Sequence, residues 1–304
     1  MEYLLHLLII ICIYTILSQS LSLASGYSGQ MSLAHAGFYG IGAYTAALMA
    51  VNIGTPPLLN MLLALFISGL IAYIVAKVAV KTVDDYFVII TLGIQVVMFS
   101  VMNNWQNVTN GPLGIAGIPS FTIFGSPIES TWAYLLVSAS FMALVWFVLN
   151  NLMKSPFGRM LKALSEDEVY TGSLGKNVAQ AKVVSFVISG MLASIAGVLY
   201  AYYISYIDPT SFTLDESIFI LSIVIIGGMQ KLWKIFLAAA FLVLLPEALR
   251  FIGLPSSIAA NIRQIIYGLA LILVIYNKSD RIRQGQISKD FVQIFRGHRG
   301  GVNN

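Results

Sequence analysis

The residues best suited to chemistry lie in GYSGQMSLAHAGFYGIGAYTA, positions 26–46, and that chemistry is non-covalent recognition, not catalysis. Gly26, Gly29, Gln30, Ser32, His35 and Tyr44 bring hydrogen-bonding groups and conformationally free backbone into a stretch that is otherwise apolar. Unwound backbone at membrane depth is tolerated only inside protein or beside a wet cavity. A broken helix presents N–H groups that attract a carboxylate, such as that of an amino acid. One reading makes this segment the lining of a solute path. The other makes it a polar turn between two helices, with His35 hydrogen-bonded to a neighbour.

A second cluster lies in SPFGRMLKALSEDEVYTGSLGKNVAQAK, positions 155–182. Phe157, Met160, Leu161 and Leu164 fall at i, i+3, i+4 and i+7, the spacing of an apolar stripe on a short helix. Glu166, Asp167 and Glu168 follow, then Gly172 and Gly175. Anionic lipid would repel that acidic run, so docking into a groove of a partner protein fits better than lying on the membrane. A third segment, NNWQNVTNGPLGIAGIPSFTIFG at 103–125, is neutral and rich in Asn, Gly and Pro. That composition makes an ordered loop with tight turns, suited to a docking partner, a gate or a plain connection.

Several chemistries lack residues. There is no G-x-x-x-x-G-K-[ST], no H-E-x-x-H and no G-x-S-x-G, so P-loop nucleotide hydrolysis, zinc proteolysis and serine hydrolysis find no motif. The single Cys12 cannot form an intrachain disulfide or a thiolate metal site, and no cofactor is implied. The middles of the apolar stretches hold almost no Asp, Glu, Lys or Arg, the groups an ion-driven transporter places there. The energy for any transport is therefore expected to come from another chain.

The elements that must position these residues follow from the apolar pattern. Of 304 residues, 58% are hydrophobic and only 10% charged, against about 25% charged in a soluble domain. Nine apolar stretches approach the roughly 20 residues a helix needs to cross a bilayer. They lie at 4–23, 32–51, 58–80, 86–102, 131–153, 183–203, 217–228, 235–251 and 262–276, the short seventh being a candidate half-helix. Runs such as 183–204 are apolar on every face and cannot be barrel strands. The expectation is an all-α polytopic membrane protein of about 8–10 transmembrane helices, broken or re-entrant near residues 26–36. No Lys or Arg precedes the first stretch, so it reads as a retained helix and not a cleaved signal.

Lys77 and Lys81, then Lys154, Arg159, Lys162, Lys176 and Lys182, then Lys231 and Lys234, occupy alternate connections, and the tail from Lys278 is basic. This positive-inside alternation puts those segments in the cytoplasm and explains the net charge of +4 without nucleic acid. The division is a transmembrane domain at 1–276, with a cytoplasmic loop at 154–182, and a basic cytoplasmic tail at 277–304. Small residues recur every four positions at Ser189, Ala193, Gly197 and Ala201, and at Gly42, Ala46 and Ala50. Such faces let backbones approach closely, within the bundle or against a second subunit.

Taken in order, these segments resemble the membrane permease subunits of ABC importers for branched-chain amino acids, specifically the M-type partner of the H/M pair, a family that also includes urea and short-amide permeases. The resemblance runs from about Leu17 to Tyr276. Its anchors are GYSGQMSLAHAGFYGIGAYTAAL, DYFVIITLG at 85–93, the Asn103–Pro119 loop, FGRMLKALSEDE at 157–168, IDPTSF at 207–212 and LPEALR at 245–250. It implies a path formed with a second, homologous permease, two ABC ATPase subunits below, an extracytoplasmic solute-binding protein above, and a multi-pass location in the cell inner (plasma) membrane. The Phe157–Gly175 region, with Phe157, Gly158, Arg159, Leu161, Leu164, Glu166, Asp167, Glu168 and Gly175, corresponds to the coupling helix seated in an ATPase cleft. The chain departs from the family pattern at Ser165, which replaces Arg, at Tyr170 and Thr171, which replace small residues, at Lys176, which replaces Ile, at Gln95-Val96, which replaces Gly-Glu, and at Met229-Gln230-Lys231, which replaces a turn of small residues. A stand-alone channel, a secondary transporter and a membrane enzyme are the competing classes.

Overall fold

The computed structural model describes residues 2–80, 82, 84–123 and 125–251, together with Ile265, Gly268 and Leu269. Apart from those three residues, the ninth expected span lies outside the described residues, as does the basic tail. Helix α1 (Glu2–Ser22) continues through a π-helical turn (Leu23–Tyr27), and after a break come α2 (His35–Asn52), α3 (Pro57–Ala79) and α4 (Asp84–Asn104). A connecting region holds α5 (Gln106–Thr109), a 3-10 turn (Gly111–Leu113) and the two-residue strands β1 (Ile115–Ala116), β2 (Thr122–Ile123) and β3 (Ser126–Pro127). Then follow α6 (Thr131–Lys154), α7 (Pro156–Glu166), α8 (Glu168–Ser173), α9 (Val178–Ile204), β4 (Tyr206–Ile207), a 3-10 turn (Pro209–Phe212), α10 (Leu214–Gly227) and α11 (Leu232–Phe251).

The chain is an all-α polytopic membrane protein. Among the described residues five helical segments are long and apolar enough to cross a bilayer: Glu2–Tyr27, Pro57–Ala79, Tyr86–Asn104, Thr131–Lys154 and Val178–Ile204. Helix α10 has 14 residues and rises about 21 Å, short of a bilayer core of about 30 Å. The distribution of polarity is that of a lipid-embedded bundle. Leu62, Phe66, Val97 and Leu136 are more than half exposed, while Ser18, Gln19, Ser20, Ser22, Ser68 and Ser138 are buried.

Helix α9 is the hub, packing on α1, α2 and α3. The two small-residue series meet here. A Cβ at Gly42 would overlap the backbone of Ser194, and one at Gly197 would overlap Tyr39 and Ala43. Main chain therefore rests on main chain, the close approach that drives helix association where lipid offers no hydrophobic gradient. Ser189, Ala193, Ala201, Ala46 and Ala50 are all buried, so both series serve internal packing.

Pairing of helix ends defines two faces. On one, β1 pairs antiparallel with β4, Ile115 opposite Ile207, and Ile118 N–H donates to Ser205 O at 3.3 Å. His6 Nδ1 lies 2.8 Å from Tyr203 Oη at the end of α9, which brings the start of α1 to this same face. The loop at 103–125 is ordered as its composition suggests: Asn110 is left-handed (φ 61°) and its Nδ2 donates to Gly114 O at 2.9 Å. The opposite face carries α7, α8 and the α10–α11 turn, with Lys154, Arg159, Lys162, Lys176 and Lys231, and is called the basic face below.

Candidate functional site

The break after α1 is written into a serine-rich sequence. The hydroxyls of Ser20, Ser22 and Ser28 donate back to Leu17 O (2.6 Å), Gln19 O (2.8 Å) and Ala24 O (2.8 Å). Such local bonds compete with the helical ladder, which here loosens into the π-turn Leu23–Tyr27. Gly26 then lets the chain through, because a Cβ there would overlap the Met229 carbonyl.

Beyond the turn the polar groups knit to their neighbours. Gln30 O accepts from Ser25 Oγ at 3.2 Å, and Gln30 Oε1 accepts from Ser28 Oγ at 3.0 Å and Ser185 Oγ at 3.3 Å. Ser189 Oγ donates to Ser20 O, so it accepts from His35 Nε2 at 2.8 Å. That chain of donors places a proton on His35 Nε2 and makes the ring a link between α2 and α9. Ser32 Oγ accepts from Ala34 N–H at 3.2 Å. Ser32, Gln30, His35 and Tyr44 are buried, while Gly29, at φ +73°, is exposed beside α7.

The start of α2 is closed by other helices. Ala36 N–H donates to Ser217 Oγ at 3.0 Å and Gly37 N–H to Gln95 Oε1 at 2.7 Å; Leu33 N–H donates to Thr91 Oγ1 at 3.1 Å. Those N–H groups, which the sequence offers to a solute carboxylate, are already bonded within the protein. Gln95 also donates through Nε2 to Phe212 O at 2.8 Å, so one amide ties α4, α2 and the turn before α10. Gln95→Leu takes the donor from the Phe212 carbonyl, at a cost of about 1–3 kcal/mol, while Gly37 N–H keeps only its bond to Ala34 O at 3.1 Å. The expected result is a melting temperature in detergent several degrees below wild type. Gln95→Glu recovers only the Gly37 bond and is expected to fall between them.

Tyr44 is set apart from this cluster. It packs with Phe212, ring centroids 5.9 Å apart, in an aromatic group completed by Tyr39 and Tyr200.

The basic face joins this break to α7. Gln230 Nε2 donates to Gly26 O at 2.9 Å and to Ser165 Oγ at 3.4 Å, and Gln230 O accepts from Tyr27 Oη. A Cβ at Gly29 would sit 3.9 Å from Ser165 Cα. The end of α1, the end of α7 and the α10–α11 turn thus meet at one side chain. Ser165 and Gln230, both departures from the family pattern, are in contact. Sequence reading noted each and had no signal that they meet, because 65 residues separate them.

Helix α7 starts at an N-cap, Ser155 Oγ accepting from Gly158 N–H at 3.3 Å, with Pro156 in its first turn. Its apolar stripe turns inward: Leu161 and Leu164 are buried in the core, with Phe157 and Met160 packed against it. Arg159, Lys162 and Glu166 face outward, and Gly158 is buried. Asp167 Oδ1 accepts from Tyr170 N–H at 2.8 Å and caps α8, and Glu168 pairs with the buried Lys182 of α9. Three apolar side chains then stand in the open, Val169 at 84% exposure, Tyr170 at 62% and Leu174 at 59%. Gly175, at φ +75°, follows them. Of these three, the sequence marked only Tyr170, as a departure from the family pattern; the one available signal for Val169 and Leu174 was apolar residues close after an acidic run.

With this geometry in place, likeness to known proteins decides the class. The family model described as "Branched-chain amino acid transport system / permease component" matches residues 3–275. The chain belongs to that family. The high-affinity branched-chain amino acid transport system permease protein LivM of Salmonella typhimurium is 35% identical over 262 residues, 78% of this chain and 61% of the relative. A probable LivM of Methanocaldococcus jannaschii is 24% identical over 79% of this chain and 76% of its own length. The LivH permease of Salmonella typhimurium is 26% identical over 64% of this chain and 68% of its own. The chain spans about three fifths of the length of the LivM relatives from Salmonella and Escherichia coli. No solved structure matches it.

Proposed function

We propose that this chain is the membrane-spanning permease subunit of an ABC importer in the cell inner membrane, carrying branched-chain amino acids along a path shared with a second, homologous permease. It is not itself an enzyme; separate ATPase subunits bind on the basic face, and a solute-binding protein delivers cargo to the opposite one. Family membership and the likeness to LivM permeases support the solute class. The observation that carries the ATPase partner is the tip of α8. Val169, Tyr170 and Leu174 form an exposed apolar knob on a short helix fixed by the Asp167 cap and the Glu168–Lys182 pair. A rigid apolar projection in water is what a groove on a partner recognises.

In this reading Phe157, Gly158, Leu161 and Leu164 anchor the coupling element to its own bundle, while Arg159, Glu166 and the knob face the ATPase. Asp167, Glu168 and Gly175 hold the knob in shape. ATPase closure pushes α7, and the contacts at Gly26, Gly29 and Gln230 pass the displacement to the break in α1. Gln30 Nε2 and His35 Nδ1 have no partner among the described residues. They suit a polar cluster with a second arrangement, the kind of bistable element that alternating access requires. Gly26, Gly29, Gln30, Ser32 and His35 thus bias the solute path from its inner end, and Tyr44 lies nearer its outer end.

The test is affinity purification of the tagged chain from its native membrane, with mass spectrometry of its companions. Two P-loop ATPases and a second permease are expected. Val169→Asp combined with Tyr170→Asp is expected to lose the ATPases and keep the permease. A chain that purifies alone and still moves solute in liposomes would sink the importer reading. For charge reversal Glu166→Lys is the informative change, since Glu168→Lys would set two ammonium groups against each other and Asp167→Lys would remove a helix cap.

A further inference from the structure

A groove of about 560 Å³ runs between the last two turns of α3 and the first three turns of α9. Its lining changes character along the helix axis. At the basic face it is polar, with Lys77, Asn177 and Gln180; deeper along the two spans it becomes Tyr73, Val183, Val184, Val187 and Ile188. Both helices are long and apolar enough to cross the bilayer. The polar mouth therefore lies at the level of lipid headgroups and the apolar floor at the level of acyl chains. Lys77 is held at the mouth, its Nζ 5.3 Å from the centre of the Tyr73 ring, and remains exposed. Asn177 uses Oδ1 to accept from Gln180 N–H at 3.0 Å, which leaves its Nδ2 as a second donor. Among the described residues no carboxylate lines the groove.

We propose that this groove is a binding site for an anionic phospholipid of the leaflet on the basic face. The phosphate sits at Lys77 with Asn177 and Gln180 as further donors, and one acyl chain lies along Val183, Val184 and Val187. Charge complementarity selects an anionic headgroup: a cation and two amide donors face it, and among the described lining residues no acidic group opposes it. The separation of polar and apolar lining along a membrane-spanning axis matches a lipid and has no use for a soluble solute. Bound there, the lipid would brace the corner where α9 enters the membrane next to the Glu168–Lys182 pair.

The test uses the purified full-length chain, delipidated in detergent and titrated with phosphatidylglycerol or with phosphatidylcholine of the same chains, bound lipid being counted by native mass spectrometry. Wild type is expected to prefer phosphatidylglycerol. Lys77→Ala is expected to weaken that binding about fivefold, the effect of one basic residue at a membrane surface, and Lys77→Arg to preserve it. Val184→Trp, which fills the floor, is expected to remove bound lipid of either kind. Equal binding of both lipids by wild type, or wild-type binding by both Lys77→Ala and Val184→Trp, overturns the proposal. So does a photo-crosslinker at position 184 that captures a protein subunit and no lipid in native membranes.

Discussion

Gly197→Leu is expected to abolish recovery of folded protein, while Gly93→Ala leaves recovery unchanged or improved. The two glycines lie in long helices and look alike in sequence. Gly93 has nothing within 4 Å of where a Cβ would be, so alanine there gains about 1 kcal/mol of helix propensity and meets no neighbour. At Gly197 the added atoms would occupy the space of the Tyr39 carbonyl and the Ala43 nitrogen. Ordinary overpacking costs about 1–3 kcal/mol because side chains can shift. Here the obstacle is backbone on both sides, and relief requires moving α2 off α9 along its length. Helix contact in lipid rests on that close packing, so the loss exceeds the ordinary range. Fluorescence-detected size-exclusion chromatography in mild detergent reads the outcome. A monodisperse Gly197→Leu peak at wild-type height would show that the α2–α9 contact does not hold the bundle together.

That asymmetry marks where sequence reading succeeds and where it stops. Apolar stretches at 58–80 and 131–153 are α3 and α6 within a residue at each end, because a membrane span is set by composition and length. Helix α9 begins five residues before the stretch at 183–203. Its first turns hold Gln180 and Lys182 and owe their start to the Asn177 cap, which hydropathy does not register. The small-residue series revealed that close approach would occur, but both a bundle and a subunit interface use the same pattern. In the folded chain Gly42 meets the backbone of Ser194 and Gly197 that of Tyr39 and Ala43, so both faces are internal.

The site divides the same way. The break near residues 26–36 was legible because serine and glycine in an apolar context signal it. The partners that close it were not, since Ser217 and Gln95 are single polar residues on remote helices. An apolar stripe at i, i+3, i+4, i+7 states that a helix has a buried face but not what buries it. For α7 the answer is the chain's own core, which leaves Val169, Tyr170 and Leu174 as the exposed apolar side chains of this region and the docking surface we propose.

Gln230→Ala is expected to separate ATP hydrolysis from uptake. The side chain makes two hydrogen bonds, to Gly26 O and Ser165 Oγ, and so bridges α7 and the break. Each net bond is worth about 0.5–1.5 kcal/mol, which sets a loss of coupling of roughly tenfold at 1.4 kcal/mol. In the reconstituted complex, solute taken up per ATP hydrolysed should fall by that factor while hydrolysis continues. Gln230→Glu cannot donate to Gly26 O and is expected to match alanine. Ser165→Ala removes only the longer bond and is expected to lose less. A change that merely unfolds part of the population lowers uptake and hydrolysis together and leaves their ratio intact. The ratio therefore tests transmission and not stability, and an unaltered ratio in Gln230→Ala would remove Gln230 from the proposed route between α7 and the break in α1.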